Sequence, residues 1–386
     1  MRFLLMLCAL AGVCASAQAA ESPSIPKPAA IDAEVQRVLK DTGAKGLAIA
    51  VIDDGKVGYV KAYGVRNAKG EPLTTQTVMY GASLTKAAFA YAVMQQVDQG
   101  RLTLDTPLAD MLPQPLPSYA SPDIINRYSD WSALDERWRK LTPRIVLTHS
   151  SGFANFRFLE PDEKLTFHFD PGARYAYSGD GLLTLQFAME TGLGLSLRDE
   201  TDRIFKGLGM TRSSLIWRLD FADNLADGWN DRGEVEAHDE RSKVRVAGSM
   251  DTTIGDFARF AAAFVQGEGL SAGARADITK RQLKITTRTQ FPPFQPELPA
   301  DQQRADLYAG LGVVVFDGPQ GHGFYKGGHN DMTANTWVCV ERSKRCVVIL
   351  SNDVRAEAGF AALVRFVLGE TGVPYEWEYG DHAGKS

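Results

Sequence analysis

The sequence contains 386 residues, of which 44% are hydrophobic and 10% aromatic, so it can bury a large apolar core. Charged residues make up 23% of the chain, an ordinary proportion that argues against disorder over the whole length. The net charge is −5 and no run of basic residues stands out, so the sequence has no electrostatic footprint for binding nucleic acid.

Residues 1–19 have the layout of a secretory signal peptide. A positive charge at Arg2 precedes an almost unbroken apolar run over residues 3–13, and residues 17–19 (Ala-Gln-Ala) provide a cleavage site. A membrane anchor is the alternative, but the apolar run is too short to span a bilayer comfortably. We therefore predict a mature chain of residues 20–386 that is exported, to the periplasm or outside the cell, without a stable membrane anchor.

The first part of the mature chain combines helix and strand patterns. Residues 31–39 have helical spacing, and two strand-like runs around the Asp-Gly pair at residues 54–55 predict a hairpin over residues 46–64. Residues 87–94 are apolar at every position, which predicts a buried helix that ends near Gly100.

The middle of the chain, residues 123–245, has mostly helical and loop character, and strands return after it. An amphipathic helix is predicted over residues 253–265. Strand patterns and then a final helix follow it, at residues 312–316, 336–340, 347–351 and 357–368.

Strands near both ends of the chain, with helices between them, predict one antiparallel sheet that both termini build. The fold class is therefore α/β of the α+β type, with helices flanking the sheet and a mostly helical subdomain beside it. We place the sheet subdomain near residues 30–105 and 246–386, and the helical subdomain near residues 106–245, of one domain.

Two cysteines of the mature chain can meet across a hairpin. Of the four cysteines, Cys8 and Cys14 fall within the predicted signal peptide, and Cys339 and Cys346 remain. Apolar β-formers flank both residues and a polar stretch separates them, so they can face each other on neighbouring strands. Both a disulfide and two free thiols remain open as interpretations. Because no third metal ligand accompanies the two cysteines, the sequence does not suggest a metal site.

The pattern Ser83-Leu-Thr-Lys86 carries the first chemical signal. A serine and a lysine at this spacing share one face of a helix, where an amine with a lowered pKa can accept the serine proton. The pattern alone is weak, because Ser24 and Lys27 repeat it among prolines, where no helix can align them. Ser83 instead opens the buried helix, whose N–H groups can stabilise a developing negative charge. A simple N-cap is its alternative role.

Two later segments supply further candidates. A turn delivers Tyr175 and Tyr177 just before a helix, and a tyrosine becomes a usable base only beside positive charge. Farther on, Lys326 is followed by Gly327 and Gly328, which lets the backbone approach a ligand along a strand edge. Core aromatic residues and a surface hairpin turn are the alternative interpretations of these two segments.

In order and spacing, these segments resemble the motifs of the serine β-lactamase and penicillin-binding superfamily: Ser-x-x-Lys, then Tyr-x-Asn or Ser-x-Asn, then Lys-Thr-Gly. The similarity is to the tyrosine-using branch of class C β-lactamases, D-alanyl-D-alanine carboxypeptidases and related esterases. It extends over nearly the whole mature chain; residues 146–152 (Val-Leu-Thr-His-Ser-Ser-Gly), for example, resemble that branch's Leu-Leu-Thr-His-Thr-Ser-Gly segment.

The resemblance implies that Ser83 is the acylated nucleophile and that Lys86 accepts its proton and holds Tyr177 in place. Tyr177 would transfer protons to the leaving group or from water, and Lys326 would favour the anionic form of this tyrosine. The backbone N–H groups of Ser83 and His329 would form the oxyanion hole. Substrate would contact Gly327, Gly328 and Asn330. No cofactor is implied, the substrate is a small molecule or derives from peptidoglycan, and we assume a monomer.

Two departures from the family pattern bear on activity. Gly179 stands where the second motif has asparagine, and Gly327 replaces the substrate-facing hydroxyl of the third. Acyl transfer survives both changes, but efficient β-lactam turnover is in doubt, since lost polar contacts reduce a rate by about 10-fold to 1000-fold. We predict an exported serine hydrolase of amide, ester or β-lactam carbonyls. A catalytically weak penicillin- or peptidoglycan-binding protein of the same fold is the alternative.

Two other hydrolase classes fit less well. An α/β-hydrolase needs Gly-x-Ser-x-Gly, and the segment around Ser83 has Thr85 at the last position. A metallo-hydrolase needs clustered ligands, whereas the six histidines include no His-x-His pair. Three histidines could be proposed as members of a catalytic triad, namely His149, His238 and His329, but no sequence pattern places them next to Ser83.

Overall fold

The computed structural model describes residues 23–380, so the predicted signal peptide lies outside the described residues. The strands are β1 (Gly46–Asp53), β2 (Lys56–Gly64), β3 (Met79–Tyr80), β4 (Gly228–Trp229), β5 (Val235–Glu236), β6 (Asp251–Thr252), β7 (Leu283–Lys284), β8 (Leu307–Ala309), β9 (Val314–Gly318), β10 (Gly321–His329), β11 (Ala334–Val340) and β12 (Arg345–Ser351). The α-helices are α1 (Pro28–Thr42), α2 (Thr85–Asp98), α3 (Leu108–Met111), α4 (Pro122–Arg127), α5 (Pro143–Leu147), α6 (Gly179–Gly192), α7 (Leu197–Gly207), α8 (Ile254–Gln266), α9 (Ala272–Thr279), α10 (Phe360–Leu368) and α11 (Tyr375–Tyr379).

An eight-stranded sheet in the order β2-β1-β12-β11-β10-β9-β8-β7 forms the centre of the fold. All of its neighbouring strands are antiparallel. The N-terminal hairpin β1–β2 joins the C-terminal strand β12, where Ile49 lies opposite Ile349. This arrangement confirms the predicted fold class, in which both ends of the chain build one antiparallel sheet.

Strand β1 is apolar from Leu47 to Ile52 because helices cover both faces of the sheet. Ala48 and Ala50 belong to a core that includes residues of α2 and α8. Leu47 and Ile49 belong to a second core, which includes residues of α1 and α10. Successive side chains of a strand point to opposite faces, so a strand covered on both sides requires a continuous apolar run.

The predicted helices near the sheet are confirmed. Residues 31–39 lie within α1, residues 253–265 correspond to α8, and the buried helix is α2, in which all residues from 87 to 94 are buried. Side chains of α5 and α6 pack into the same core as α2, so the boundaries of the helical subdomain stay a prediction. Between residues 23 and 380, no helix has both the length and the apolar character of a membrane span.

The C-terminal region differs from the prediction. The final helix, expected over residues 357–368, begins as a 3-10 turn, Val354–Gly359, and becomes α-helical only at Phe360. A further helix, α11, follows it. Its five residues are too few for a periodic pattern to reveal a helix, because the hydrophobic period becomes visible only over longer windows.

Cys339 of β11 lies directly opposite Cys346 of β12, and a disulfide joins them. Both side chains are fully buried. The hairpin pairing predicted from the flanking apolar residues therefore brings the two sulfurs together, and of the two alternatives the structure adopts the disulfide.

Candidate active site

Ser83 lies in a 3-10 turn, Ala82–Leu84, that leads directly into α2. Hydrogen bonds fix this turn: Thr85 Oγ1 donates to Ala82 O at 2.5 Å and accepts from Met250 N at 3.1 Å. Ala82 has a φ of 46°, a left-handed conformation that is uncommon for alanine. The contact with Met250 supports this conformation and presents Ser83 to a cavity.

The four predicted catalytic side chains lie together. Lys86, in the first turn of α2, places Nζ 3.0 Å from Ser83 Oγ and also donates a hydrogen bond to Ala247 O. The hydroxyl of Tyr177, just before α6, donates to Ser83 Oγ at 2.8 Å. The Nζ atoms of Lys86 and Lys326 lie 4.9 Å and 5.2 Å from the centre of the Tyr177 ring. The fold thus brings the four predicted side chains together, whereas their catalytic roles stay a prediction.

Strand β10 carries Lys326 past the nucleophile. Its pairing with β9 ends at Tyr325, and from there to His329 its edge lies against the turn that holds Ser83. A Cβ atom on Gly328 would come within 2.9 Å of Ser83 N, so this close approach requires glycine. An oxyanion hole formed by the N–H groups of Ser83 and His329 needs such an approach, and that assignment stays a prediction.

Side chains after Gly328 make contacts within the protein. His329 Nδ1 lies 2.8 Å from Glu357 Oε2, and this hydrogen bond raises the pKa of His329. Asn330 Oδ1 accepts hydrogen bonds from the N–H groups of Met332 and Thr333, which close the turn between β10 and β11. The turn therefore occupies the oxygen of Asn330 and leaves its NH2 group, and the substrate contact of this residue stays a prediction.

Burial and repulsion control the protonation of the two lysines. Lys86 is 1% exposed, and burial, followed by the positive charge of Lys326, holds the pKa of Lys86 well below its usual value. Burial lowers the pKa of Lys326 to about 8, against a smaller, opposite effect of the Glu378 carboxylate. Because a lysine with a depressed pKa gives up its proton readily, Lys86 can accept the proton of Ser83.

Burial and hydrogen bonding act in opposite directions on the pKa of Tyr177. The resemblance implies a phenolate favoured by Lys326, but burial raises the pKa of Tyr177 far above its usual value, and the Ser83 hydrogen bond offsets this only in part. A raised pKa favours the protonated phenol, which can donate a proton. The anionic form that the resemblance implies stays a prediction.

His149 holds Tyr177 in place. Their rings stack with centroids 4.3 Å apart, and His149 Nδ1 accepts a hydrogen bond from Ser178 N at 3.1 Å. Burial lowers the pKa of His149 well below its usual value, which favours the neutral imidazole. Tyr175 packs instead against Trp377 in the core, with ring centroids 5.5 Å apart, which matches the core role left open for it.

Asn155 and Phe156 occupy the space beside Gly179. Asn155 Oδ1 accepts a hydrogen bond from Gly179 N at 2.9 Å, and both residues line the cavity. Neither was predicted from the sequence. Their position just after the Ser-Ser-Gly of residues 150–152 was the available signal, since that segment already resembled the family.

The cavity above Ser83 has a volume of about 700 Å³, within the range of small-molecule sites. Its walls include the edge of β10, the chain around residues 239–249, Phe291 and, from α11, Glu378. Glu378 was also not predicted, because tertiary packing rather than sequence proximity brings α11 to Lys326.

Comparison with proteins of known sequence identifies related esterases and a penicillin-binding protein. The chain is 30% identical over 218 residues to lovastatin esterase of Penicillium rubens and 29% identical over 185 residues to penicillin-binding protein 4 of Amycolatopsis lactamdurans, matches that cover 48% and 44% of this chain. It spans about half the length of these two relatives, 53% and 45%. It is 26% identical over 335 residues to esterase EstB of Burkholderia gladioli, which covers 77% of this chain and 78% of that protein.

Solved structures share the fold. The octameric penicillin-binding protein homologue from Pyrococcus abyssi has a TM-score of 0.70 at 19% identity, over 92% of this chain and 79% of that one. The penicillin-binding protein from Bacillus halodurans has a TM-score of 0.65 at 20% identity, over 85% and 98%. At these identities the likeness shows the fold alone. The sequence model of the Beta-lactamase family matches residues 31–369, so the chain belongs to that family.

Proposed function

We propose that the protein is a serine hydrolase that cleaves an ester, or a related amide or β-lactam, through an acyl-enzyme on Ser83. One observation carries this proposal: the amine of Lys86 is buried, lies 3.0 Å from Ser83 Oγ and has a pKa held well below its usual value. A neutral amine at this distance can take the serine proton as the bond to substrate forms. The names of two relatives, lovastatin esterase and esterase EstB, favour an ester.

Acylation begins when Ser83 Oγ attacks the carbonyl carbon and its proton passes to Lys86 Nζ. The N–H groups of Ser83 and His329 would stabilise the negative charge that develops on the carbonyl oxygen. The bond to the leaving group then breaks, and the leaving group takes the proton of the Tyr177 hydroxyl. Lys86 returns its extra proton to Tyr177, which restores both groups.

Deacylation uses water as the nucleophile. A water proton passes to Lys86 as the water oxygen attacks the acyl carbon, and the same N–H groups stabilise the tetrahedral intermediate. When this intermediate collapses, Ser83 Oγ leaves and takes the proton back from Lys86. The products are the free acid and the original enzyme, so no external reagent is needed.

We also propose that the enzyme is exported and acts on a small molecule or a fragment of peptidoglycan. The signal-like residues 1–19 and the disulfide between Cys339 and Cys346 support an oxidising, extracytoplasmic location. A second candidate function is penicillin binding without efficient turnover. The glycines at 179 and 327, which replace polar residues of the family motifs, favour this candidate.

Intact-protein mass spectrometry after incubation with para-nitrophenyl butyrate, and separately with benzylpenicillin, tests the proposal. We expect turnover of the ester and an acyl adduct on Ser83, both absent in Ser83→Ala. Ser24→Ala removes the serine of the other Ser-x-x-Lys pattern and should behave as wild type. Turnover retained by Ser83→Ala would reject the nucleophile, whereas a long-lived penicilloyl adduct without ester turnover would support the binding protein.

A further inference from the structure

Helix α11 places the carboxylate of Glu378 in the wall of the cavity. The Tyr325 hydroxyl donates a hydrogen bond to Glu378 Oε2 at 3.1 Å, and Gln290 Nε2 donates to the same oxygen. Both donors are buried, so the carboxylate is held from the protein side. Glu378 itself is half-buried and lines the cavity that contains Ser83.

Glu378 lies directly against Gly327. A Cβ atom on Gly327 would overlap Glu378 Oε1 and would lie 3.1 Å from its Cδ. Gly327 immediately precedes Gly328, which is the residue that approaches Ser83 N. The carboxylate therefore fills the place of a side chain at residue 327, one residue from the backbone that contacts the nucleophile.

The charge of Glu378 balances that of Lys326 at this end of the cavity. Lys326 Nζ donates a hydrogen bond to Gly327 O at 2.8 Å, and the Glu378 carboxylate favours the charged form of this lysine. A substrate carboxylate that reached Gly327 would meet a lysine whose charge a fixed anion already offsets. The substrate carboxylate would lose its hydration there, and the attraction of Lys326 would not compensate for that loss because Glu378 repels the substrate carboxylate.

The cationic side chains on the opposite wall have partners of their own. Arg241 forms an ion pair with Asp251 at 3.0 Å. Lys243 Nζ donates a hydrogen bond to Asn126 Oδ1 at 2.8 Å, and Arg245 donates to Asn126 O at 3.0 Å. Each of these three side chains is therefore engaged by a residue other than Glu378.

We propose that Glu378 determines specificity: it disfavours substrates with a carboxylate near the scissile bond and so directs the site toward uncharged esters. This inference rests on the acyl-enzyme function proposed above. Penicillins and D-alanyl peptides carry such a carboxylate, so they acylate Ser83 slowly compared with neutral esters of similar reactivity. Glu378 acts through repulsion and needs no contact with the reacting atoms.

A matched pair of esters tests the proposal. Meta-acetoxybenzoate and meta-acetoxybenzamide transfer the same acetyl group, and their leaving groups differ in one negative charge. After the difference in intrinsic reactivity between the two esters is taken into account, wild type should have a kcat/KM about tenfold higher for the uncharged ester. This ratio is expected for unit charges roughly 10 Å apart at an effective dielectric constant of about 20. Glu378→Gln should abolish this preference and Glu378→Asp should retain it. Glu376→Gln, exposed on the same helix, is the matched control.

The salt dependence of wild type provides a second measurement that needs no variant. Added salt screens the repulsion, so the preference for the uncharged ester should shrink as ionic strength rises. Turnover of both esters, with a ratio that neither Glu378→Gln nor salt changes, would overturn the role of Glu378 and leave the proposed function standing. Absence of turnover and of an adduct with either ester would overturn the proposed function and this inference with it.

Discussion

Gly179 and Phe156 share one small space: a Cβ atom on Gly179 would lie 2.7 Å from Cε1 of the Phe156 ring. The sequence suggests that Gly179→Asn, which restores the family asparagine, could raise β-lactam hydrolysis. The structure leads to a different expectation, because the new side chain must displace the ring. We expect Gly179→Asn to lower the free energy of unfolding by about 1–3 kcal/mol, as overpacking does, without faster hydrolysis of benzylpenicillin.

Chemical denaturation of Gly179→Asn, and of the same substitution combined with Phe156→Ala, checks this explanation. The double variant opens space for the asparagine, so its loss of stability should be smaller than the sum of the two single losses. Strictly additive losses would show that Phe156 and the new side chain do not compete.

Asn155 is the residue nearest in chemistry to the missing asparagine. Its oxygen accepts the Gly179 N–H at 2.9 Å, which leaves its NH2 group for a ligand in the cavity. We expect Asn155→Ala to reduce kcat/KM for an ester by about 10-fold to 100-fold, as removal of a positioned donor does. Asn155→Asp keeps the acceptor and loses the donor. If it retained wild-type activity, the amide would serve only to hold Gly179.

The sequence predicted those parts of the site that lie within short motifs on regular elements. Ser83 and Lys86 could be paired because residues three apart share one face of a helix, and the 3-10 turn that holds Ser83 leads directly into α2. Tyr177 and Lys326 followed from the resemblance of their segments, in order and spacing, to the family motifs. The sheet could be predicted as well, since hairpin signals and apolar runs near both termini leave few ways to bury every strand.

Tertiary packing determined what the sequence did not reveal. His149 reaches Tyr177 by stacking, and Glu378 reaches Gly327 through a short helix. Neither relationship has a period or a fixed spacing that a single sequence could show. The effect of burial on the pKa of Tyr177 was out of reach of the sequence for the same reason: motifs identify the charged neighbours, but burial, which dominates the pKa, depends on the whole fold.

The pH dependence of ester hydrolysis should be bell-shaped. Activity should rise as Lys86 loses its proton, because the free amine is the base. It should fall as Lys326 loses its own near pH 8, because the charge of Lys326 stabilises the phenolate that forms when Tyr177 gives its proton to the leaving group. The charge of Lys326 lowers the pKa of Lys86, so Lys326→Met should move the rising limb to higher pH and remove the falling limb. Profiles of kcat/KM for both proteins check this, and a rising limb moved to lower pH would contradict it.

Lys86→Met should abolish activity and stabilise the fold. A buried amine with a depressed pKa lowers stability at neutral pH, because the unfolded lysine, with a pKa of about 10.4, gains a proton that the native site disfavours. Removing the amine should raise the free energy of unfolding by about 1 kcal/mol at neutral pH.

This advantage of Lys86→Met should grow as the pH falls from about 10 toward the native pKa of Lys86, because wild type alone loses stability over that range. Denaturation at several pH values measures it. Lys206→Met, at an exposed position of α7, is the control and should show no such trend. An advantage independent of pH would show that packing, not titration of Lys86, is responsible.

Gly327→Thr restores the hydroxyl of the third motif and tests whether Glu378 and residue 327 exclude each other. A Cβ atom at this position would lie 3.1 Å from Glu378 Cδ, so the single substitution should lower the free energy of unfolding by about 1–3 kcal/mol and reduce ester hydrolysis. Glu378→Ala removes the obstacle. In the double variant, stability should recover and acylation by benzylpenicillin should be faster than in either single variant, because the hydroxyl is present and the repelling charge is absent. A double-mutant cycle gives the coupling, and additive effects would show that the carboxylate and the side chain at residue 327 do not compete for one place.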